Sequence, residues 1–398
     1  MSHRAGTVAR LGVAQTLAWA SSYYLPAMLA PAMARDLGTS TATVFAAFSS
    51  ALIVSALVGP RAGRAIDRWG GRPVLAVTNL VFALGLAGLA FAQGLAGLFA
   101  AWLLIGVGMG AGLYEAAFAA LVRLYGRDSR SAITGITLIA GFASTVGWPL
   151  STWLEAEMGW RGACLVWAGL HLVLGVPLNL TLPRSTVNEA EVVADAAPVS
   201  AEEIPRSTAA LLALVFAITW FISTAMAAHL PQLLQANGAT LAVAVTAGAL
   251  IGPAQVGARL LEFGLLRRVH PLLSARLATA LHPLGAAALA VLGAPAAAAF
   301  TLLHGAGNGI LTITKGTLPL VIFGPAGYGY RQGLLMLPAR MAQALAPWLF
   351  GLCLTHWGAA AVFLSSALSF IALAALMAIR PHSPGHGGHT AGSEPRPG

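Results

Sequence analysis

The sequence predicts an all-α membrane protein of twelve transmembrane helices in two pseudo-symmetric six-helix halves. Three observations carry this. Of the 398 residues, 58% are hydrophobic and only 9% charged, against about a quarter charged in an ordinary soluble domain. So little polar surface leaves the bilayer as the expected solvent. Apolar runs of roughly 20 residues, the length of helix that crosses a bilayer, recur along the chain. The basic residues fall in the breaks between those runs, and they fall there unevenly.

The apolar runs place spans at about 10–34, 42–60, 73–92, 96–122, 132–154, 161–182, 208–235, 241–263, 272–293, 296–323, 332–354 and 357–379. The odd-numbered connections hold Arg35 and Arg161 and no other arginine or lysine. The even-numbered ones, with Arg276 at the start of span 9, hold thirteen arginines, among them Arg61, Arg64, Arg68 and Arg72 after span 2, Arg123, Arg127 and Arg130 after span 4, and Arg331 after span 10. By the positive-inside rule both termini are then cytoplasmic, in a bacterial-type inner membrane. The first run is long and ends in no small-residue cleavage site, so it is expected to be a retained span. Residues 183–207, with Glu189, Glu191, Asp195, Glu202 and Glu203, form a polar linker between an N-terminal half (1–182) and a C-terminal half (208–379). Residues 380–398 are rich in Gly and Pro and are expected to be a disordered tail; its His382, His386 and His389 lack the carboxylates or cysteines that would complete a metal site.

Several function classes fall away. The net charge of +9 sits in short loops, not on a face suited to nucleic acid. Cys164 and Cys353 lie in apolar runs and build neither a disulfide framework nor a zinc site. No nucleophile–base pair, P-loop or metal motif appears, so neither an enzyme nor a cofactor is expected, and ATP is removed as a driver within this chain.

Between spans 2 and 3 the chain reads GPRAGRAIDRWGGRP (59–73), and a degraded copy, GPAQVGARLLEFGLLRRVHP, recurs at 252–271. Asp67 can pair with arginines or cap a helix N-terminus, and Gly70 and Gly71 permit a reversal that larger residues would strain. The string from Gly63 to Arg72, spaced G-x-x-x-D-R-x-G-G-R, resembles the signature loop of the major facilitator superfamily. That resemblance implies halves that alternate around a site near the midplane. It assigns Gly63, Arg64, Asp67, Arg68 and Arg72 to a gating latch. SSYYLPAMLAPAMARDLGTS, TVGWPLSTWLEAEMGWRGA and AAHLPQLLQANG resemble the monocarboxylate and oxalate porters within it. In those relatives cations of spans 8 and 11 contact carboxylates; Arg340 lies in the matching span 11 and Arg259 in span 8. The drug/proton antiporters carry a Gly-Pro motif in span 5, and here Trp148 separates Gly147 from Pro149.

Charges inside spans are costly unless they face a cavity or a partner. Lys315 is the only lysine of the chain and lies within span 10. His304, Asn308, Thr312 and Lys315 are spaced 4, 4 and 3 and share one helical face. Arg340 and Gln343 stand in span 11, Glu115 in span 4, and Gln255, Arg259 and Glu262 in span 8, where the last two are expected to pair at the interface. Two readings of the deep trio remain open. Lys315 and Arg340 hold an anionic substrate while Glu115 or His229 carries the proton. Alternatively, Glu115 bridges to one of the cations as part of a gate, which the family resemblance places among spans 4, 5, 10 and 11. Asn308, Gln343, Trp19 and Tyr23 complete the substrate candidates. The expected function is proton-coupled transport of a small organic anion by a monomer. Efflux of a drug or metabolite against protons is the alternative, and a transport-dead sensor the third possibility.

Overall fold

The computed structural model describes residues 2–184, 206–265 and 269–379. Most of the linker, Arg267 and Arg268, and the histidines of the tail lie outside the described residues. Among the described residues every regular element is a helix. Span 1 is Ser2–Ser21 with Leu25–Asp36, span 2 Thr41–Trp69 and span 3 Gly71–Ala90. Span 4 is Leu95–Gly112 with Tyr114–Tyr125, and span 5 starts at Arg130–Ala140. Helix Ala143–Leu170 finishes span 5, kinks at Gly159 (φ 71°) and begins span 6, which ends in Val176–Leu180. The second half follows as Arg206–Ala236, Leu241–Ala249 with Ile251–Gly264, Pro271–Leu292, Ala297–Phe323, Tyr328–Trp357 and Ala361–Ala378.

The repeat is visible in the local chemistry. Span 2 starts after Ser40, whose Oγ accepts the Thr43 N–H at 3.1 Å. Span 8 starts after Thr240, whose Oγ1 accepts the Val243 N–H at 3.3 Å. In both places a glycine of positive φ (Gly38, Gly238) precedes the cap by two residues, so the same turn-and-cap device opens both spans. Buried apolar side chains form two main clusters, one drawn almost wholly from residues 11–182 and one from 212–379. Leu57, Leu84, Val173, Val291, Phe363 and Met377 are exposed, as expected of surfaces whose solvent is lipid tails.

One expectation is corrected. Residues 59–73 are not mainly a loop: span 2 stays helical through Trp69, and the reversal is confined to Gly70 at φ 82°. Gly71 is already helical; it is small because a Cβ there would fall on the side chain of Ala120 in span 4.

Candidate functional site

The described contacts between the halves gather at the arginine-rich end and around the middle of the bundle. Span 2 lies against span 11 so closely that a Cβ on Gly63 would fall on the carbonyl of Gly329. Asp67 takes the capping role left open by the sequence. Its two oxygens accept the N–H groups of Gly329 and Tyr330, both at 2.8 Å. These are among the first amides of Tyr328–Trp357, which lack helical partners and sit at the positive end of the helix dipole. The cations acting on Asp67 are Arg123 and Arg331, not those of its own string. Arg64 lies over the Tyr330 ring at 4.2 Å and Arg68 near Trp69 at 5.9 Å. Arg72 is half-buried without a hydrogen bond or ion pair among the described residues.

A second tie joins spans 5 and 8. Arg130 pairs with Glu262 at 2.8 Å, and Glu262 also accepts from Ser274 at 3.1 Å. The expected Arg259–Glu262 pair does not form. Arg259 instead reaches across to the Thr137 carbonyl at 3.1 Å. Span 5 breaks there, between Ala140 and Ala143, and the Thr137 carbonyl accepts the Gly141 N–H at 3.0 Å as well as the guanidinium.

The deep trio meets at the seam. Arg340 donates to both oxygens of Glu115, at 2.9 and 2.8 Å. Both bonds come from one nitrogen, Nη2, which sits between the two carboxylate oxygens. Glu115 is placed by a break: Leu113 is extended, and Tyr114–Tyr125 begins with Glu115 in its first turn, where the helix dipole favours a carboxylate. Arg340 also donates to Gln343 at 2.9 Å, and Gln343 donates to the Tyr23 hydroxyl at 3.1 Å. Tyr23 lies in the break of span 1 and packs edge-on against Trp19, with ring centroids 5.2 Å apart. Thus side chains from the broken parts of spans 1 and 4 face intact span 11.

Lys315 joins this cluster by a different route. Its ammonium stands 4.2 Å from the centre of the Trp220 ring, and Arg340 lies 5.1 Å from the same ring. Lys315 is 4% exposed and has no ion pair among the described residues. The indole N–H groups of Trp19 and Trp220 are buried without an acceptor. The site therefore brings together two cations, one carboxylate and two unused donors. That set suits an anion with several acceptor oxygens and an apolar body.

Backbone chemistry ties span 10 to span 11. Pro319 has no N–H for the carbonyl of Lys315, its helical partner four residues back. Gln332 supplies the missing donor at 3.0 Å, and the Tyr328 hydroxyl donates to the Gly316 carbonyl at 2.6 Å.

Two sequence candidates lie elsewhere. His229 donates from Nε2 to the Pro347 carbonyl at 2.7 Å and contacts Gln232 at 2.9 Å. It lines an open groove of about 580 Å³ with Trp348 and Thr355, and no hydrogen bond joins it to Glu115. Asn308 and His304 line a small cavity between spans 7, 9, 10 and 12, so the stripe on span 10 divides between two environments. Sequence reasoning missed Trp220 as the platform for both cations. It also missed His282 and His171, whose only signal was a histidine inside an apolar run.

Comparison with known proteins agrees with this architecture. The model of the Major Facilitator Superfamily matches residues 11–326. A curated relative, an uncharacterized 38 kDa protein in the 23S RNA operon of Thermoproteus tenax, is 29% identical over 358 residues, covering 88% of this chain and 89% of its own. Among solved structures, the proton:xylose symporter XylE bound to 6-bromo-6-deoxy-D-glucose aligns with TM-score 0.74 at 12% identity, covering 94% of this chain and 95% of its own. The human organic anion transporter MFSD10 aligns with TM-score 0.65 at 19% identity, covering 94% and 99%. FucP in its outward conformation aligns with TM-score 0.71 at 13% identity, covering 93% and 97%. With the family model spanning most of its length, this chain is a multi-pass membrane transporter that belongs to the major facilitator superfamily.

Proposed function

We propose that this protein carries a small organic anion, a carboxylate with an apolar body, together with a proton. Lys315 carries the reading: it is a buried ammonium that rests on an indole and has no carboxylate of its own. An uncompensated charge so placed costs several kcal/mol, and an anionic cargo offsets that cost. The cluster of Lys315, Arg340 and Glu115 sums to one positive charge, which suits a monoanion. A cationic cargo would meet two bases and one engaged acid.

The coupling follows from the same pair. When Glu115 is ionised, it holds Arg340 and bridges the halves. A proton on Glu115 removes the charge that Arg340 binds, and the freed guanidinium turns to the substrate carboxylate. The Trp19 and Trp220 N–H groups supply further donors, with Tyr23 and Gln343 beside them. Gate and binding site are then one device. Residues 1–182 rock against 208–379, and the latch at Gly63, Arg64 and Asp67 holds the arginine-rich end closed. In this reading that end faces the cytoplasm, in a bacterial-type inner membrane, and the unit is a monomer. The resemblance of the span 1, 5 and 7 strings to the monocarboxylate and oxalate porters supports a carboxylate cargo.

Uptake of a panel of radiolabelled carboxylates into proteoliposomes, with and without a pH gradient, tests the reading. Lys315→Ala and Arg340→Ala should each abolish uptake while the protein stays monodisperse. Glu115→Gln should keep exchange but lose proton-driven accumulation. Unchanged uptake in both cation variants overturns the anion reading. Extrusion of cationic drugs by the unmodified protein would favour efflux.

A further inference from the structure

The C-terminal half contains a polar network that the seam does not use. His282 of span 9 and His304 of span 10 face each other with Nδ1 atoms 3.0 Å apart, and His282 Nε2 lies 3.0 Å from Ser365 Oγ in span 12. Both rings are buried, at 6% and 5% exposure. One assignment of the hydrogens follows from the serine. With the Ser365 hydroxyl hydrogen on the Val362 carbonyl, 2.9 Å away, Ser365 Oγ accepts from His282 Nε2–H. In that assignment the neutral His282 has only a lone pair on Nδ1, and His304 Nδ1–H donates to it. One atom remains: His304 Nε2 is a bare lone pair with no partner among the described residues.

That atom has somewhere to point. Both rings line a cavity of about 20 Å³ with Thr219, Ser223, Thr279 and Asn308, enough for one water. The hydroxyl hydrogens of Thr219 and Thr279 are committed to the Phe216 and Ala275 carbonyls, so their oxygens are left as acceptors. Pro283 leaves the Thr279 carbonyl without its helical donor as well. The cavity wall therefore offers the Thr219 and Thr279 oxygens as acceptors to a new N–H, beside the Ser223, Ser369 and Asn308 side chains. No Asp, Glu, Lys or Arg contributes to that wall. Spans 7 and 12 present Thr219, Ile222, Ser223 and Ser369 to it, and spans 9 and 10 add only the two histidines as titratable groups.

We propose that the His282–His304 pair is a proton-binding site within the C-terminal half, distinct from Glu115, loaded at His304 Nε2 through the adjoining cavity. One proton adds to that lone pair and no bond need turn. The imidazolium keeps its Nδ1–H bond to His282, which keeps its Nε2–H bond to Ser365, and the new N–H meets the acceptors of the cavity. A separation of 3.0 Å fits a shared N–H···N proton and is too short to admit a metal ion between two nitrogens, each needing about 2 Å.

The test is ¹⁵N NMR of the full chain labelled at its ten histidines in lipid nanodiscs. A cross-signal between two Nδ1 atoms through one shared proton identifies the pair without any substitution. Between about pH 8 and about pH 4, spanning the usual histidine range, one ring of that pair should become imidazolium with the cross-signal retained. H304Q should remove that transition. A pair that stays neutral throughout, or a transition that persists in H304Q, overturns the proposal. If H304Q does not fold, the titration of the unmodified pair decides alone. Repeating the titration on K315A separates this site from the anion reading: the transition should survive there whether or not uptake does.

Discussion

Removing the Asp67 carboxylate should open the arginine-rich end. The two bonds to Gly329 and Tyr330 are each 2.8 Å long and charge-assisted. Hydrogen bonds to an ionised group contribute about 1.5–3 kcal/mol each, and the helix N-terminus adds about 0.3–1 kcal/mol. Asp67 is half-buried, so the lower ends apply, about 3 kcal/mol in all. That is about a hundredfold in the balance between closed and open arrangements. The assay is a distance measurement between spin labels on Arg68→Cys and Ala326→Cys, both exposed positions flanking the latch, with Cys353 replaced to leave only buried Cys164. Asp67→Ala should move the distribution from one short distance to a predominantly long one. Asp67→Asn keeps acceptor oxygen but not charge and should shift it less. A distribution in Asp67→Ala that superimposes on the unmodified protein would refute the capping argument, because the remaining contacts between spans 2 and 11 would then hold the ends together without it.

Gly63→Leu should give the same opening by a steric route, since even a Cβ meets the Gly329 carbonyl; the same spin pair reads it, and a retained short distance would count against the close approach. Gln332→Leu should lower the thermal midpoint in detergent by leaving the buried Lys315 carbonyl without its donor, at a cost of about 1–3 kcal/mol. Pro319→Ala restores the helical N–H and should recover most of that loss in the double variant; no recovery would mean that the carbonyl is not what Gln332 serves. Arg130→Met should cost stability because it strands Glu262, 1% exposed, whereas Arg130→Met with Glu262→Met should recover much of it. A double variant as unstable as the single one would show that the pair is more than mutual compensation.

The fold was legible because its signals are redundant. Span length, loop arginines and the string at 63–72 each point to the same twelve helices, and boundary errors at Trp69 or Tyr328 do not disturb them. The site was legible only in part. Glu115, Lys315 and Arg340 stand out in sequence because charge is rare in spans, yet which pair would close was not readable. That depends on the break at Leu113 and on guanidinium geometry, and the hydrophobic pattern encodes neither. The span 10 stripe shows the limit of face arithmetic. His304 and Lys315 share a helical face, but spans 9 and 12 claim one and Trp220 the other. The role of Asp67 stays open in the sequence because a carboxylate between arginines looks like an ion pair until a distant helix N-terminus is placed over it.

Span 11 explains why latch and site need no separate messenger. Its N-terminus is capped by Asp67, Gln332 one turn later holds the Lys315 carbonyl, Arg340 holds Glu115 and Gln343 holds Tyr23. The capped amides and Arg340 are about 15–16 Å apart along one helix. Pro338 lies between them and permits bending there, but the bonds at both ends grip the same half of the protein. Releasing Glu115 leaves the Asp67 cap to hold the halves, and breaking the cap leaves the Glu115 bridge. The two ties add: loss of the cap alone shifts the balance by about a hundredfold, and a proton that neutralises Glu115 shifts it further. This gives the order of events a direct test: Asp67→Ala with Glu115→Gln should open that end more completely than either substitution alone. Equal opening in the single and double variants would show that the two ties do not share the load.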